Sequence, residues 1–269
     1  MKRFDLSDKV ALVTGGSRGI GAGISLALAE AGADVAVLFR SRREEAERIG
    51  KQIADMGRRY ELIQYDLAEL DGLGSVVADV VDRLGRLDIL VNNAGIAHLL
   101  PFDQVDREVM DLTFRVNAMG PFFLAQAAAG HMIERGGGGR IINIGSTNGQ
   151  VAEALLAPYN ASKGALELIT KSLAIELAPH AITVNTVAPG LIQTEIGEDF
   201  DLDPAFERYA IEHVPLGRYG TPDEVAGAVV FLASEAGQYT TGQCLVIDGG
   251  LTADQFPRLQ FFKRDGRGE

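Results

Sequence analysis

Short runs of apolar and β-branched residues alternate along the chain with longer segments whose apolar positions repeat every three to four residues. This alternation is typical of βαβ units and predicts a parallel sheet. Several runs are apolar at nearly every position, as expected of strands that helices cover on both faces. The predicted strands are residues 9–13, 34–39, 60–65, 88–91, 140–144, 182–187 and 244–247. The pattern therefore predicts an α/β fold with a doubly wound, seven-stranded parallel sheet.

Helices fill the segments between these strands. The predicted helices are residues 19–31, 42–56, 73–84, 107–134, 158–178 and 222–234. Thr221 is a favourable N-cap for the last helix, because proline follows it at the first helical position. Residues 192–219 have weak periodicity and mixed charge, so we expect a mobile lid over the substrate there. No linker or repeat divides the chain, which predicts one domain over residues 1–251 and a C-terminal tail over 252–269.

Composition and charge narrow the classes of function. Hydrophobic residues make up 46% of the chain and charged residues 23%, which is enough apolar material for a large core. The 25 Lys and Arg residues against 37 Asp and Glu residues give a net charge of -12. Such an acidic chain suits neither a nucleic-acid groove nor an anionic membrane surface, so we expect neither partner. No apolar run approaches the roughly 20 residues of a membrane span.

Cysteine and histidine give further expectations. Cys244 is the one cysteine, which rules out an intramolecular disulfide and fits a reducing compartment. The first residues show no signal-peptide pattern, so we expect a cytoplasmic protein. The four histidines lack metal-ligand spacing, so we expect no metal site.

A glycine-rich segment follows the first predicted strand directly and opens the first predicted helix. It reads TGGSRGIG over Thr14–Gly21. Glycines at such a turn let the backbone approach a pyrophosphate, whose charge is met by the N–H groups at the start of the helix. The strand–turn–helix context predicts a dinucleotide site. Its predicted contacts are Gly15, Ser17, Arg18, Gly19, Ile20 and Gly21.

The end of the second predicted strand bears on the choice of cofactor. In dinucleotide-binding units an acidic residue here binds the ribose hydroxyls, whereas a nearby arginine accommodates a 2′-phosphate. This chain has Phe39 at the acidic position and Arg40 after it, with Arg18 as a second phosphate partner. The sequence therefore favours NADP(H) over NAD(H). The alternative is that Arg40, Arg42 and Arg43 only form a solvated helix start.

Tyr159 and Lys163 stand four residues apart in a predicted helix, so their side chains leave the same face. A free tyrosine, with a pKa of about 10, is a poor base at neutral pH, and ionising it there costs about 4 kcal/mol. A lysine ammonium about 4 Å away contributes on the order of 4 kcal/mol at an effective dielectric constant of about 20. We therefore expect Lys163 to lower the pKa of Tyr159 and, together with the positive charge of an oxidised nicotinamide ring, to make it a usable proton carrier.

These motifs together resemble the classical short-chain dehydrogenase/reductase superfamily. The glycine spacing is TGxxxGxG, and Asn92-Asn93-Ala94-Gly95 follows the fourth predicted strand. The remaining matches come in family order over residues 6–251: Asn117, Ser146, Tyr159-x-x-x-Lys163, Pro189-Gly190 and Asp248-Gly249-Gly250. The branch it resembles includes β-ketoacyl carrier-protein reductases and sugar, polyol and steroid dehydrogenases.

The resemblance implies a Rossmann fold and hydride transfer between a nicotinamide cofactor and a secondary alcohol or ketone. Ser146 would bind the substrate oxygen, Tyr159 would carry the proton, and Lys163 would hold the ribose. Asn117 would position a water that links Lys163 to solvent. Further cofactor contacts are implied at Asp66, Leu67, Asn93, Ala94, Gly95, Pro189, Gly190, Ile192 and Thr194. A homotetramer is implied as well, paired through helices 107–134 and 158–178 and through the last strand.

The substrate is less sharply indicated. The loops expected around it supply polar groups that favour a sugar or polyol, namely His98, Asn148, Gln150, Glu153 and Gln193. They also carry apolar groups that leave a hydrophobic ketone or acyl chain open: Leu155, Leu156, Leu191 and Phe206. The alternative of a β-ketoacyl carrier-protein reductase requires docking of an acidic carrier, which the net charge disfavours. A non-catalytic dinucleotide sensor is the second alternative.

Overall fold

A computed structural model describes residues 2–194 and 204–254. Its centre is a sheet of seven parallel strands in the order β3-β2-β1-β4-β5-β6-β7. The strands are β1 Val10–Thr14, β2 Asp34–Phe39, β3 Tyr60–Gln64, β4 Ile89–Asn92, β5 Gly139–Ile144, β6 Ile182–Pro189 and β7 Cys244–Ile247. This confirms the predicted seven-stranded parallel sheet. Strands β1, β2, β4 and β6 are buried at every position, as their continuous apolar sequences require.

Helices cover both faces of the sheet. They are α1 Gly19–Glu30, α2 Arg43–Asp55, α3 Leu73–Leu84, α4 Arg107–Phe114, α5 Gly120–Arg135, α6 Ala157–Leu177, α7 Pro204–Glu212 and α8 Pro222–Ala233. One apolar core lies between the sheet and α1, α2 and α8, and a second lies between the sheet and α3, α5 and α6. The arrangement is that of a Rossmann-type doubly wound domain.

The strand order reverses at β1, which pairs with β2 on one side and β4 on the other. In open parallel sheets ligands bind outside the carboxyl ends of the strands at such a reversal. The glycine segment Thr14–Gly21 follows β1, and Asn93–Gly95 follows β4. The topology therefore brings both predicted cofactor segments to one edge of the sheet.

The predicted helix 107–134 is interrupted, and this prediction is corrected. A π-helical turn, Arg115–Met119, separates α4 from α5, and the N–H of Gly120 donates to the carbonyl of Arg115 five residues earlier. Pro121 explains the break, because it has no N–H for the carbonyl of Asn117 four residues before it. The turn places Asn117 in the interior with no exposed surface.

The predicted lid segment contains a helix that the weak periodicity did not indicate. Residues 204–212 form α7, while residues 195–203 lie outside the described residues. The segment after α7 is tied to the turn that follows β7, because the N–H of Leu216 donates to the carbonyl of Gly249 over 3.1 Å. Gly249 has φ +63°, and a Cβ on it would come within 2.8 Å of Val214.

The predicted N-cap of α8 is confirmed. The hydroxyl of Thr221 accepts a hydrogen bond from the N–H of Glu224, and the Glu224 carboxylate accepts one from the N–H of Thr221. The same carboxylate forms two hydrogen bonds with Arg218, at 2.6 and 2.9 Å. These contacts lower the pKa of Glu224 to about 2, and the hydrogen bond from Arg218 is the largest cause. The end of the lid segment is thereby fixed to the start of α8.

The described ranges lack two features that would bear on the class of function. Across residues 2–194 and 204–254, every helix is too short or too polar to cross a membrane. The same residues contain no group of three or more His, Cys, Asp or Glu side chains arranged to hold a metal ion. Most of the predicted tail, residues 255–269, lies outside the described part, so the domain boundary at 251 stays a prediction.

Candidate active site

The glycine segment turns tightly between β1 and α1. Gly15 and Gly19 adopt φ values of +62° and +51°, which L-residues with a side chain rarely adopt. A Cβ on Gly21 would overlap the carbonyl of Gly15 and the amide of Asn93. Arg18, the N-cap residue of α1, makes no capping hydrogen bond, so the first N–H groups of the helix have no side-chain partner among the described residues. The segment is shaped to bring a negatively charged group against these N–H groups.

Two arginines stand near this turn. Arg18 immediately precedes α1, and its Nη1 is buried without a hydrogen-bond partner among the described residues. Arg40 is exposed after β2 and makes no ion pair with any described residue. By contrast, Arg43 pairs with Glu47 at 3.7 Å and stacks over the Phe39 ring. A buried, unpartnered guanidinium nitrogen beside an open helix terminus fits a phosphate-bearing cofactor.

Asn93 braces the glycine segment. Its Nδ2 donates to the carbonyls of Thr14 and Gly15 over 2.9 and 3.2 Å. The hydroxyl of Thr14 in turn accepts from the backbone N–H groups of Asn93 and Ala94. The side-chain amide is therefore used within the chain, and a direct contact of Asn93 with a cofactor stays a prediction.

The predicted adenine contacts lie just after β3. Asp66 is half-buried, and its Oδ1 accepts from the N–H of Ala68 over 3.0 Å. Leu67 is only 4% exposed and packs in the core under α3 and α5. Both residues are at the carboxyl edge of the sheet, where the prediction requires them. The side chain of Leu67, however, packs into the core.

The segment after β6 closes the other side of this edge. Gly190 lies so close to the turn after β7 that a Cβ on it would come within 2.7 Å of the Asp248 Cβ. Ile192 forms an isolated β-bridge with Gly220. The methyl group of Thr194 is 3.5 Å from the position that a Cβ on Gly19 would take. Thr194 thus approaches the glycine segment, while Gly190 and Ile192 contact the turn after β7 and the segment before α8.

Lys163 is buried in α6, with 3% of its surface exposed. Its Nζ donates to the carbonyl of Ile144 at the end of β5 over 2.8 Å and lies 5.6 Å from the centroid of the Tyr159 ring. A Cβ on Gly95 would come within 3.4 Å of the same Nζ. Burial lowers the pKa of Lys163 to about 8. The ammonium therefore sits where the segments after β4 and β5 meet α6.

The acid–base state of Tyr159 differs from the expectation. Burial raises the pKa of its phenol, a hydrogen bond with Ser146 opposes that rise, and the negative charge of Glu153 adds to it. Without the positive charge of a cofactor, the chain's own groups leave the pKa of Tyr159 raised rather than lowered. The physical reason is that Lys163 donates to the Ile144 carbonyl and lies over the ring, while burial removes the water that would stabilise a phenolate.

Asn117 and Ser162 connect the α6 segment that carries Tyr159 and Lys163 to the loop after β4. Asn117 accepts from the N–H of Ile96 and donates to its carbonyl, both over 2.9 Å. It also donates to the hydroxyl of Ser162 over 3.0 Å. The side chain of Asn117 is thus fully used, and the predicted water would have to bind its backbone carbonyl, which Pro121 leaves without the usual donor.

The substrate-side loops carry a polar cluster that sequence reasoning identified only in part. The Nδ2 of Asn148 donates to the Asn160 amide oxygen and to the Glu153 carboxylate, over 2.9 and 3.2 Å. The N–H of Asn148 donates to the Ser146 hydroxyl over 3.1 Å. Asn160 and Ser162 were missed, and the available signal was their place beside Tyr159 and Lys163 in the sequence YNASK.

Gln150 does not join this cluster, and its predicted place among the substrate groups is corrected. Its Nε2 donates to the sulfur of Cys244 over 3.2 Å, at the start of β7. The thiol of Cys244 donates to Glu167 over 3.4 Å, and burial together with that carboxylate raises the pKa of Cys244 to about 12. The side chain of Phe206 lies outside the described part of the chain.

Comparison with known proteins decides the family. A family model described as enoyl-(acyl carrier protein) reductase matches residues 15–252. The chain belongs to the classical short-chain dehydrogenase/reductase superfamily. It is an NAD(P)-dependent oxidoreductase that acts on CH–OH groups.

Individual members of the superfamily match over nearly their full length. An L-rhamnose 1-dehydrogenase (NAD(P)(+)) from Sphingomonas sp. (strain SKA58) is 37% identical over 91% of this chain and 97% of its own. A galactitol 2-dehydrogenase from Agrobacterium fabrum is 37% identical over 91% of this chain and 98% of its own. The crystal structure of a gluconate 5-dehydrogenase from Burkholderia cenocepacia, in complex with NADP and tartrate, has a TM-score of 0.88 and 40% identity over 94% and 98% of the two chains.

Proposed function

We propose that this dehydrogenase transfers a hydride between NADP(H) and a secondary alcohol or ketone, with a sugar or polyol as its preferred substrate. The observation that carries the proposal is the joint position of Ser146, Tyr159 and Lys163 at the carboxyl edge of the sheet. The polar side chains of Asn148 and Glu153 beside them suit a hydroxyl-rich substrate. The relatives named for rhamnose and galactitol support the same class.

The residues present fit a nicotinamide dinucleotide. When bound, this cofactor supplies the carbon that gives or accepts the hydride. The open terminus of α1 would hold the pyrophosphate, and Arg18 with Arg40 the 2′-phosphate. The other contacts that we propose are Gly15, Ser17, Gly19, Ile20 and Gly21 at the phosphates, Asp66 and Leu67 at the adenine, Asn93, Ala94 and Gly95 at the adenosine ribose, Tyr159 and Lys163 at the nicotinamide ribose, and Pro189, Gly190, Ile192 and Thr194 at the carboxamide.

Proton transfer follows from the side chains of the cluster. In reduction, the hydroxyl of Ser146 would hold the carbonyl oxygen while Tyr159 donates its proton to the oxygen that gains negative charge. A raised pKa for Tyr159 keeps this proton in place at neutral pH, so the resting cluster is ready for reduction. In oxidation, the Lys163 ammonium would stabilise the phenolate that must take the alcohol proton. Asn117 would lead that proton towards solvent through a water at its carbonyl.

The choice of NADP(H) has its own test. Arg43 is held by Glu47 and Phe39, whereas Arg40 makes no ion pair among the described residues. A lost charge-assisted phosphate contact costs about 1.5–3 kcal/mol, or roughly 10- to 100-fold in kcat/KM. Arg40→Ala should lose this much with NADP(H) and little with NAD(H), while the matched control Arg43→Ala keeps the preference. A native preference for NAD(H) would refute the assignment.

A second candidate function is reduction of a β-ketoacyl carrier-protein thioester. The matching family model, described as an acyl-carrier-protein reductase, is the observation that favours it. The net charge of -12 opposes docking of an acidic carrier. A non-catalytic sensor is the weakest alternative, because Ser146, Tyr159 and Lys163 are all present and in contact.

We also propose a cytoplasmic homotetramer. Cys244 as the lone cysteine fits a reducing compartment. Leu168 and Ile175 of α6 are exposed apolar side chains on one face, with 66% and 77% of their surfaces exposed. All four residues of β7 are only half-buried, which is unusual for a strand of a parallel sheet. Both surfaces would be covered by further copies of the chain.

The deciding experiment measures initial rates of nicotinamide absorbance change with NADP(H) and NAD(H). Each cofactor is combined with aldoses, polyols, a β-ketoacyl thioester and simple cyclic ketones. Saturable oxidation of a sugar or polyol with NADP⁺ is the expected result. Efficient reduction of the thioester alone would move the protein to the second candidate function.

A further inference from the structure

Two asparagines connect Glu153 to the neighbourhood of Ser146 and Tyr159. Its carboxylate accepts from the Nδ2 of Asn148 over 3.2 Å, and its backbone carbonyl accepts from the Nδ2 of Asn160 over 2.8 Å. Asn148 also donates through its N–H to the hydroxyl of Ser146, and Asn160 follows Tyr159 directly in α6. The two asparagines are joined to each other over 2.9 Å. Glu153 is exposed, and these hydrogen bonds tie its backbone to Asn160 and its carboxylate to Asn148 at the rim of the site.

The negative charge of Glu153 acts on the phenol of Tyr159. It contributes to the raised pKa of Tyr159, so its field reaches the phenol oxygen. None of the described Lys or Arg side chains forms an ion pair with Glu153. Lys163 is directed at the Ile144 carbonyl instead. The rim of the site thus carries a negative charge that is not ion-paired with any described lysine or arginine.

The facing loop adds a polar group. Residues 96–100 are fixed at both ends, at Ile96 by Asn117 and at Leu100 by a 2.9 Å hydrogen bond from its N–H to the Leu155 carbonyl. His98 lies between these two points, and its Nδ1 is buried without a partner among the described residues. A buried ring nitrogen without a partner is a costly arrangement that a substrate hydroxyl would relieve.

Building on the proposed function, we propose that Glu153 selects neutral polyhydroxy substrates over sugar acids. A carboxylate held beside Ser146 and Tyr159 accepts hydrogen bonds from hydroxyl groups and repels a substrate carboxylate. The net charge of -12 acts in the same direction at longer range. The site therefore admits an uncharged sugar, polyol or hydroxyketone and discriminates against aldonates of the same length.

A binding experiment tests the charge directly. Calorimetry on the NADP⁺-loaded protein compares the tetritol threitol with its dicarboxylic counterpart tartrate, for the native chain, Glu153→Gln and Asp79→Asn. Glutamine keeps an oxygen for Asn148 and removes the charge, whereas Asp79 is an exposed residue of α3 that changes net charge equally. We expect tartrate to bind about tenfold tighter to Glu153→Gln than to the native chain, whereas threitol should bind that variant no tighter, and Asp79→Asn should bind both ligands as the native chain does.

The outcomes separate this inference from the proposed function. Unchanged tartrate binding in Glu153→Gln, or no measurable binding of tartrate to any variant, would overturn the selection by Glu153. Oxidation of an aldonate in preference to the matching hexitol by the native chain would overturn it too, while leaving the proposed function standing. Failure of every sugar and polyol in the rate measurements, with tartrate binding tightened in Glu153→Gln, would instead refute the proposed function alone.

Discussion

At the scale of single residues, the site depends on how one phenol and one ammonium are buried. Tyr159 has its pKa raised by burial and by the charge of Glu153, and Ser146 is the hydrogen-bond partner that opposes the rise. Lys163 has its pKa lowered to about 8 by burial. Both shifts disfavour the charged forms, so the chain's own groups do not favour an ion pair between a Tyr159 phenolate and a Lys163 ammonium. The phenol of Tyr159 therefore keeps its proton at neutral pH, and the ammonium of Lys163 loses its proton more readily than an exposed lysine does.

Replacing Tyr159 by phenylalanine removes the proposed proton carrier and keeps the ring that Lys163 packs on. General acid–base catalysis contributes roughly 10²- to 10⁴-fold, so kcat should fall by at least that range. Cofactor affinity, followed by nicotinamide fluorescence, should stay within a few-fold. Tyr239→Phe is the control, because Tyr239 is fully exposed. A variant that keeps native kcat would remove Tyr159 from the mechanism.

The buried lysine predicts a particular pH dependence of stability. The folded chain loses the Lys163 proton near pH 8, whereas the pKa of an unperturbed lysine is 10.5. Between these values the unfolded state binds more protons, so the free energy of unfolding rises with pH. The rise from about pH 7 to about pH 9.5 amounts to about 2 kcal/mol.

Urea denaturation at the two pH values, without added cofactor, measures this increment. Lys163→Met keeps an unbranched chain and removes the titrating group, so its stability should lack the increment even if its absolute value is lower. Equal pH dependence in the native chain and in Lys163→Met would show that Lys163 does not titrate as described.

The sequence predicted which residues of the candidate site lie together, but it did not predict the contacts that they make. Ser146, Tyr159 and Lys163 come together as predicted, because strand, turn and helix order fix which residues share an edge. Hydrogen-bond directions depend on packing that spacing does not contain. Gln150 is bound to Cys244 and Asn93 to the glycine segment for this reason.

At the scale of elements, the clearest difference from the sequence pattern is the π-helical turn between α4 and α5. The signal was present in Pro121, which cannot continue the hydrogen bonding of the predicted helix 107–134. The apolar periodicity continued across it and hid the break. α7 was missed for the opposite reason, since its short segment has little periodicity even though its residues form a helix.

The start of α8 gives a prediction for an element. Thr221 caps the helix, and Glu224 completes the capping box while binding Arg218. Thr221→Ala removes the hydroxyl acceptor and should lower the free energy of unfolding by about 1 kcal/mol. Thr221→Ser keeps the acceptor, so its free energy of unfolding should stay within a few tenths of a kcal/mol of the native value. Denaturant midpoints measure both, and equal losses in the two variants would contradict the role of the cap.

At the scale of the whole molecule, the described residues of one copy leave apolar surface uncovered. Leu168 and Ile175 lie seven residues apart on α6, so they occupy one face two turns apart. β7 forms an edge of the sheet and is half-exposed along its length. An exposed edge strand tends to be covered in native proteins. Two separate uncovered surfaces are what a tetramer with two kinds of contact requires.

Ile175→Glu tests the helical contact, because it places a charge in the exposed apolar face that Ile175 forms with Leu168. Burying an unpaired carboxylate costs several kcal/mol, so the variant should dissociate to a smaller species at micromolar concentration. Light scattering gives the mass of each species. Lys51→Glu, on the exposed side of α2, is the matched control and should keep the native mass. A native chain that is already monomeric, or an Ile175→Glu variant of unchanged mass, would show that this face of α6 is not an interface.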